Sequence, residues 1–193
     1  MALSFVETDT AAPLGTLQAC SAFAVGTTVP LARLAEIGGT AGSASTVVTC
    51  AASTNASFVM LQMQPNTTLW QAGVFSWPIN VTVANSNLQW RRFYVCRLNS
   101  GGTSLATIAS NLTVNNVFSS TGVKTATATA GADTTVDSTD ILYYVATFLN
   151  GAASSQSCTL VFNQTTTTPI VLRDGIPQST LAVNHLGMCS LRV

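Results

Sequence analysis

Between residues 121 and 130 the chain alternates with a period of two: Thr125, Thr127 and Thr129 fall on one side of an extended segment, and Ala126, Ala128 and Ala130 on the other. A helix would scatter these six residues around its circumference, whereas a strand sorts them into a hydroxyl face and a small apolar face. The same period recurs at 80–84. Residues 88–98 read as a long strand, with Trp90, Arg92, Tyr94, Cys96 and Leu98 on one face and Gln89, Arg91, Phe93, Val95 and Arg97 on the other. Asn-Ser-Gly-Gly-Thr at 99–103 supplies a turn, and 105–114 returns as the partner. Residues 141–149 are dense in β-formers, 150–155 read as a turn and 157–162 as the return strand, which predicts a hairpin. Further strands are expected at 45–51, 57–62, 73–76 and 167–172. Only residues 30–37 predict a helical turn, with Pro30 at its start and Gly38 and Gly39 past its end.

Strand-like runs at intervals of about 8–15 residues place the chain in the all-β class, as an antiparallel β-sandwich of jelly-roll type. At 193 residues one domain is expected. The Gly/Ser-rich stretch 38–45 reads as a loop inside it. Residues 1–15 read as an extended N-terminal arm and 16–193 as a single sandwich domain. Such an arm needs something to tie it down, and a neighbouring subunit could do so.

Composition narrows the function classes. Only 7% of residues are Asp, Glu, Lys or Arg, against roughly 25% in ordinary soluble proteins. In their place stand 29 Thr and 19 Ser, and the formal net charge is zero. Zero net charge favours self-association. Seven basic residues, with Lys124 the only lysine, make no phosphate-tracking stripe, so nucleic acid is not an expected partner. The apolar runs are short and broken by Thr, Ser, Asn and Gly, so no window approaches the roughly 20 apolar residues of a membrane-spanning helix. The first ten residues contain no Lys or Arg and carry Glu7 and Asp9, which predicts synthesis in the cytoplasm without a signal peptide.

The candidate sites are sparse. His185 is the only histidine; it could serve a serine nucleophile as base, but no GxSxG elbow accompanies it, and a surface or interface imidazole is the plainer reading. Among the carboxylates (Glu7, Asp9, Glu36, Asp133, Asp137, Asp140 and Asp174), both glutamates lie in the least regular part of the chain, which argues against a glycosidase pair. No catalytic residue and no cofactor is expected. Asp133, Asp137 and Asp140 form the one local acidic cluster, a weak calcium candidate without the EF-hand spacing; a solvated loop with local Asx turns is the alternative. Trp90, Arg92 and Tyr94 join aromatics to cations, and Trp70 and Trp77 sit near turns. Trp70, Trp77, Trp90 and Arg92 are therefore the candidate interface anchors, with core packing or a sugar-stacking platform as the other uses of the same residues.

Five cysteines (Cys20, Cys50, Cys96, Cys158 and Cys189) lie about 30 to 60 residues apart without a CxxC or a Cys/His cluster, and read as buried free thiols rather than zinc ligands, with a disulfide formed after release from a cell as the alternative. Asn-X-Ser/Thr at Asn55, Asn66, Asn80, Asn111 and Asn163 follows from composition and is not read as glycosylation.

In composition and strand pattern the chain resembles the β-sandwich structural proteins of bacteriophage virions: capsid decoration, minor capsid and fibre modules. The residues that carry the resemblance are the strand at 90–98 with its Asn99-Ser-Gly-Gly turn, and the segment 141–151 with the strand at 158–162, within roughly residues 70 to 175. The resemblance implies a non-enzymatic virion subunit that contacts copies of itself, as a homotrimer, and a major capsid protein. A glycan-binding, host-receptor module of a phage fibre is the alternative it implies.

Overall fold

The structure is a computed structural model and describes residues 3–11, 32–36, 45–53, 57–63, 65, 67–101, 104–161 and 168–170. In chain order the strands are β1 (Leu3–Ala11), β2 (Ala32–Glu36), β3 (Ser45–Cys50), β4 (Ser57–Met63), β5 (Leu69–Trp70), β6 (Gly73–Val83), β7 (Asn85–Leu98), β8 (Ser104–Asn111), β9 (Asn116–Phe118), β10 (Gly122–Ala130), β11 (Thr134–Thr135), β12 (Ile141–Asn150), β13 (Gln156–Val161) and β14 (Thr168–Ile170). There is no helix among the described residues. The larger sheet runs β14-β1-β2-β4-β12-β7-β8, with β9 also paired to β7; the smaller runs β10-β6-β13-β3, and β5 pairs with β11. This is the expected β-sandwich, antiparallel except for the β2–β4 pair.

The inner faces meet in an aromatic core. Phe75, Trp77 and Ile79 on β6 face Trp90, Phe93 and Val95 on β7 and Tyr144 and Phe148 on β12. Trp77 packs edge-to-face on Trp90 with centroids 5.6 Å apart, and Phe93 on Tyr144 at 5.0 Å. The alternating alanines of β10 make room for these rings: Ala126 is paired with Trp77 and Ala128 with Phe75. Their threonine partners face out, as the period-two pattern predicts. β12 is buried along both faces because it sits inside the larger sheet between β4 and β7, so its sequence is a continuous apolar run rather than an alternation.

Four sequence expectations are corrected. Residues 32–36 form β2 rather than a helical turn. Five good helix formers are too few to meet the cost of helix nucleation, while strand pairing on both sides satisfies the backbone. The N-terminal segment is not a free arm, since residues 3–11 are a strand held by β2 and β14 of the same chain. Residues 141–149 and 157–162 do not make a hairpin. β12 pairs with β4 and β7, while β13 pairs with β3 and β6 in the other sheet, so 151–155 turn a corner between layers. Asn150, fully buried, holds that corner: its amide donates to the carbonyls of Cys50, Ala51 and Ser154, and its oxygen accepts from the Ala152 N–H.

The fourth correction concerns the faces of β7. A bulge interrupts its pairing with β12: Thr147 faces Arg92, but Phe148 faces Trp90. The extra residue, Arg91, shifts the alternation, so Trp90 joins Phe93 and Val95 in the core while Arg92, Tyr94 and Cys96 take the opposite face. At this point the far edge of β7 changes partner, from β9 along its first half to β8 along its second. The Arg91 carbonyl accepts from the Val114 N–H in the connection between them.

Candidate functional site

Lys124 is the only charged residue in β3, β6, β10 and β13, and it alternates to the side opposite the threonines, where it donates to the Ser120 hydroxyl at 3.1 Å. The outward face of the smaller sheet therefore presents hydroxyls, amides and aliphatic groups without charge. Among the described residues, four of the six exposed large hydrophobics stand on it: Val47 (63%), Val83 (56%), Val123 (53%) and Val74 (49%). Pairing aligns them. Val47 and Val83 flank Thr159 in one cross-strand row, and Val74 lies opposite Thr129. A second bulge at the end of β6 turns Val83 outward in this row. The Thr-Ala alternation foretells the hydroxyl stripe, but the valines come from three separate strands, β3, β6 and β10, and only the strand order unites them.

The outer edge of this sheet is closed on the β10 side. The amide of Asn116 donates to the Thr125 carbonyl at 2.8 Å, and that of Asn111 to the Thr127 carbonyl at 2.9 Å. These side chains reach across from β8 and β9 and take up acceptors that would otherwise invite another strand.

The residues singled out from the sequence as interface anchors are not on this face. Trp70, Trp77 and Trp90 are buried at 1%, 0% and 0% exposure, so they are core residues rather than anchors for a partner. The apolar area of an indole is worth most where both sheets can cover it, which is the interior of the sandwich. Arg92 is half-buried, with one guanidinium nitrogen 3.5 Å from the Tyr94 hydroxyl and its Nε buried without a hydrogen-bond partner. Tyr94 is buried as well, so the Trp-Arg-Tyr run does not form an open stacking platform.

The acidic cluster is engaged residue by residue. Asp140, 4% exposed, forms an ion pair with Arg97 at 2.6 Å and accepts from the Asp137 N–H at 2.8 Å. Asp137 accepts from the N–H and the hydroxyl of Thr139, and these two bonds hold its carboxyl below the usual carboxylate range. Asp133 turns elsewhere and accepts from the Ala72 N–H at 2.7 Å. The three carboxylates therefore serve three local contacts instead of converging on a calcium ion, and no group of three or more His, Cys, Asp or Glu among the described residues is placed to hold a metal. His185, Asp174, Cys20 and Cys189 lie outside the described residues.

Cys50, Cys96 and Cys158 are buried. Burial, reinforced by Cys50 nearby, pushes the Cys158 thiol up to about 12, which leaves it un-ionised and unreactive at neutral pH. Burial likewise pushes up the Tyr143 phenol.

No protein-family model matches the chain, and no curated protein does. Among solved structures, two crystal structures of a CocE/NonD family hydrolase from Staphylococcus aureus are similar at 8% identity, with TM-scores of 0.40 and 0.41. The match covers 66% of this chain and 34% of the hydrolase, so the chain spans about a third of that protein's length. A likeness this distant carries no argument about activity.

Proposed function

We propose that this chain is a non-enzymatic structural subunit of a virion, a capsid decoration or minor capsid protein that works through contacts with copies of itself and with a major capsid protein. The observation that carries the reading is the uncharged, hydroxyl- and valine-bearing outer face of the smaller sheet. Burying such a face desolvates no ion, while its hydroxyls can hydrogen-bond across a contact. Apolar area removed from water contributes about 25 cal/mol per Å², less the cost of ordering side chains. Repetition of the contact over a particle turns a modest affinity into firm attachment. A fibre module that binds glycans would need exposed aromatic rings, and the burial of Trp90 and Tyr94 weighs against that use of them.

The test is co-sedimentation of the purified chain with particles of its source. Saturable binding with a fixed number of copies per particle is the expected result. A chain that stays in the supernatant at all concentrations sinks the proposal, and a glycan array then becomes the informative experiment.

A further inference from the structure

We infer that the outward face of the β10-β6-β13-β3 sheet is a self-association surface, and that its occupant is the same face of a second copy of this chain, related by a two-fold axis. The inference deepens the subunit reading above and rests on it for its biological setting. Its first support is charge. A partner that presents Lys, Arg, Asp or Glu would bury those groups against a surface with no counter-ion to offer, at a cost of unpaired desolvation. A surface equally free of charge avoids that cost, and the copy of this face is one the chain itself supplies. Threonine hydroxyls both donate and accept, so the same residue can serve on either side of a self-complementary contact.

The second support is the concentration of exposed aliphatic groups. Val47, Val74, Val83 and Val123 are each about half exposed or more and share one sheet face, whereas among the described residues only Leu112 and Val117 are exposed large hydrophobics elsewhere. The third is size. Four strands about 4.8 Å apart, of nine, eleven, six and six residues at about 3.3 Å per residue, give a face of roughly 500 Å² in plan. Surface relief raises this toward the roughly 800 Å² per partner of a standard interface. Two such faces would pack as sheets do within a sandwich, about 10 Å apart with strands within roughly 30° of alignment.

The experiment is analytical ultracentrifugation of the full chain up to about 100 μM, with Val74→Lys and Thr127→Lys, each of which places a charge in the face at an exposed position, and Val117→Lys on β9 as a control outside it. The expected result is a reversible dimer, a dissociation constant raised at least about tenfold by each face substitution, and no change in the control. Near-UV circular dichroism checks that each variant is folded; Val47→Lys on β3 replaces any that is not. A wild type that stays monomeric, a trimer, a dimer indifferent to the face substitutions, or a dimer equally weakened by Val117→Lys overturns the inference. The two readings fail separately. A face-dependent dimer that ignores particles sinks the virion proposal alone, and a monomer that binds particles sinks this inference alone.

Discussion

The indole Nε1 of Trp90 donates a hydrogen bond to the carbonyl of Arg92, two residues ahead on the same strand, at 2.9 Å. A regular strand would send the two residues to the same face. The bulge at Arg91 instead turns the Trp90 ring into the core and leaves the Arg92 carbonyl within reach of its N–H. Trp90→Phe keeps a ring in place but removes the donor, and should lower stability by about 1–2 kcal/mol in urea unfolding. Trp90→Ala empties the site between Trp77, Phe93 and Phe148 and should cost about 3–5 kcal/mol. Deletion of Arg91 removes the bulge and moves the first half of β7 out of register, so cooperative unfolding should be lost.

Asn150 is the next residue to test. It sits where the chain leaves the larger sheet for the smaller, with its amide shared among three carbonyls and its oxygen taken by the Ala152 N–H. Asn150→Ala strands these buried groups and should cost about 2–4 kcal/mol in the same assay. Asn150→Asp keeps the shape but turns a carboxylate toward the Cys50, Ala51 and Ser154 carbonyls, and should be at least as damaging. A cost below that of an ordinary surface substitution would show that the corner is held by something else.

The asparagines that close the β10 edge should matter more for solubility than for folding. Asn111→Ala with Asn116→Ala leaves the Thr125 and Thr127 carbonyls to water, an expected loss of about 1–2 kcal/mol. The opened edge runs along a strand rich in Thr and Ala, and thioflavin-positive aggregation on incubation should rise clearly above wild type. Unchanged aggregation would mean that the caps are incidental to edge protection.

The pH dependence should be lopsided toward base. Burial raises the Cys158 thiol from its ordinary 9.0 to about 12, and raises the Tyr143 phenol in the same direction. The native state thus keeps protons that the unfolded chain releases. Stability from these groups is complete below about pH 9 and declines as pH rises through the interval up to 12. Urea midpoints measured from pH 8 to 11 should fall, and Cys158→Ala should flatten part of the decline even as it lowers stability at pH 8 through lost packing. A midpoint that holds steady to pH 11 contradicts this account.

Much of the fold was legible because period-two alternation is a local property. The positions of β3, β4, β8, β10, β12 and β13 follow from the residues themselves, as does the division of β10 into threonine and alanine faces. The aromatic residues of 88–98 and 141–149 were visible as strand formers, but their roles were not. Whether Trp90 is a core ring or an exposed anchor depends on one bulged residue, and a bulge is set by pairing with β12, more than fifty residues away. The acidic cluster had the composition of an ion site; the folded chain gave Asp140 to Arg97 and Asp133 to Ala72, partners remote in sequence.

What the sequence determined by itself, then, is the class of structure and the chemistry of its surface: strands from alternation, and a sparsely charged exterior from the scarcity of Asp, Glu, Lys and Arg. Only the tertiary structure decided which strands are neighbours. Residues 141–150 and 156–161 look like a hairpin because they are adjacent with a turn between, yet a strand with two apolar faces is better buried inside the larger sheet between β4 and β7 than at the side of its successor. The choice depends on how much area each long-range pairing buries, a quantity that belongs to the assembled layers. The valine face arises in the same way, from three strands that no local pattern connects.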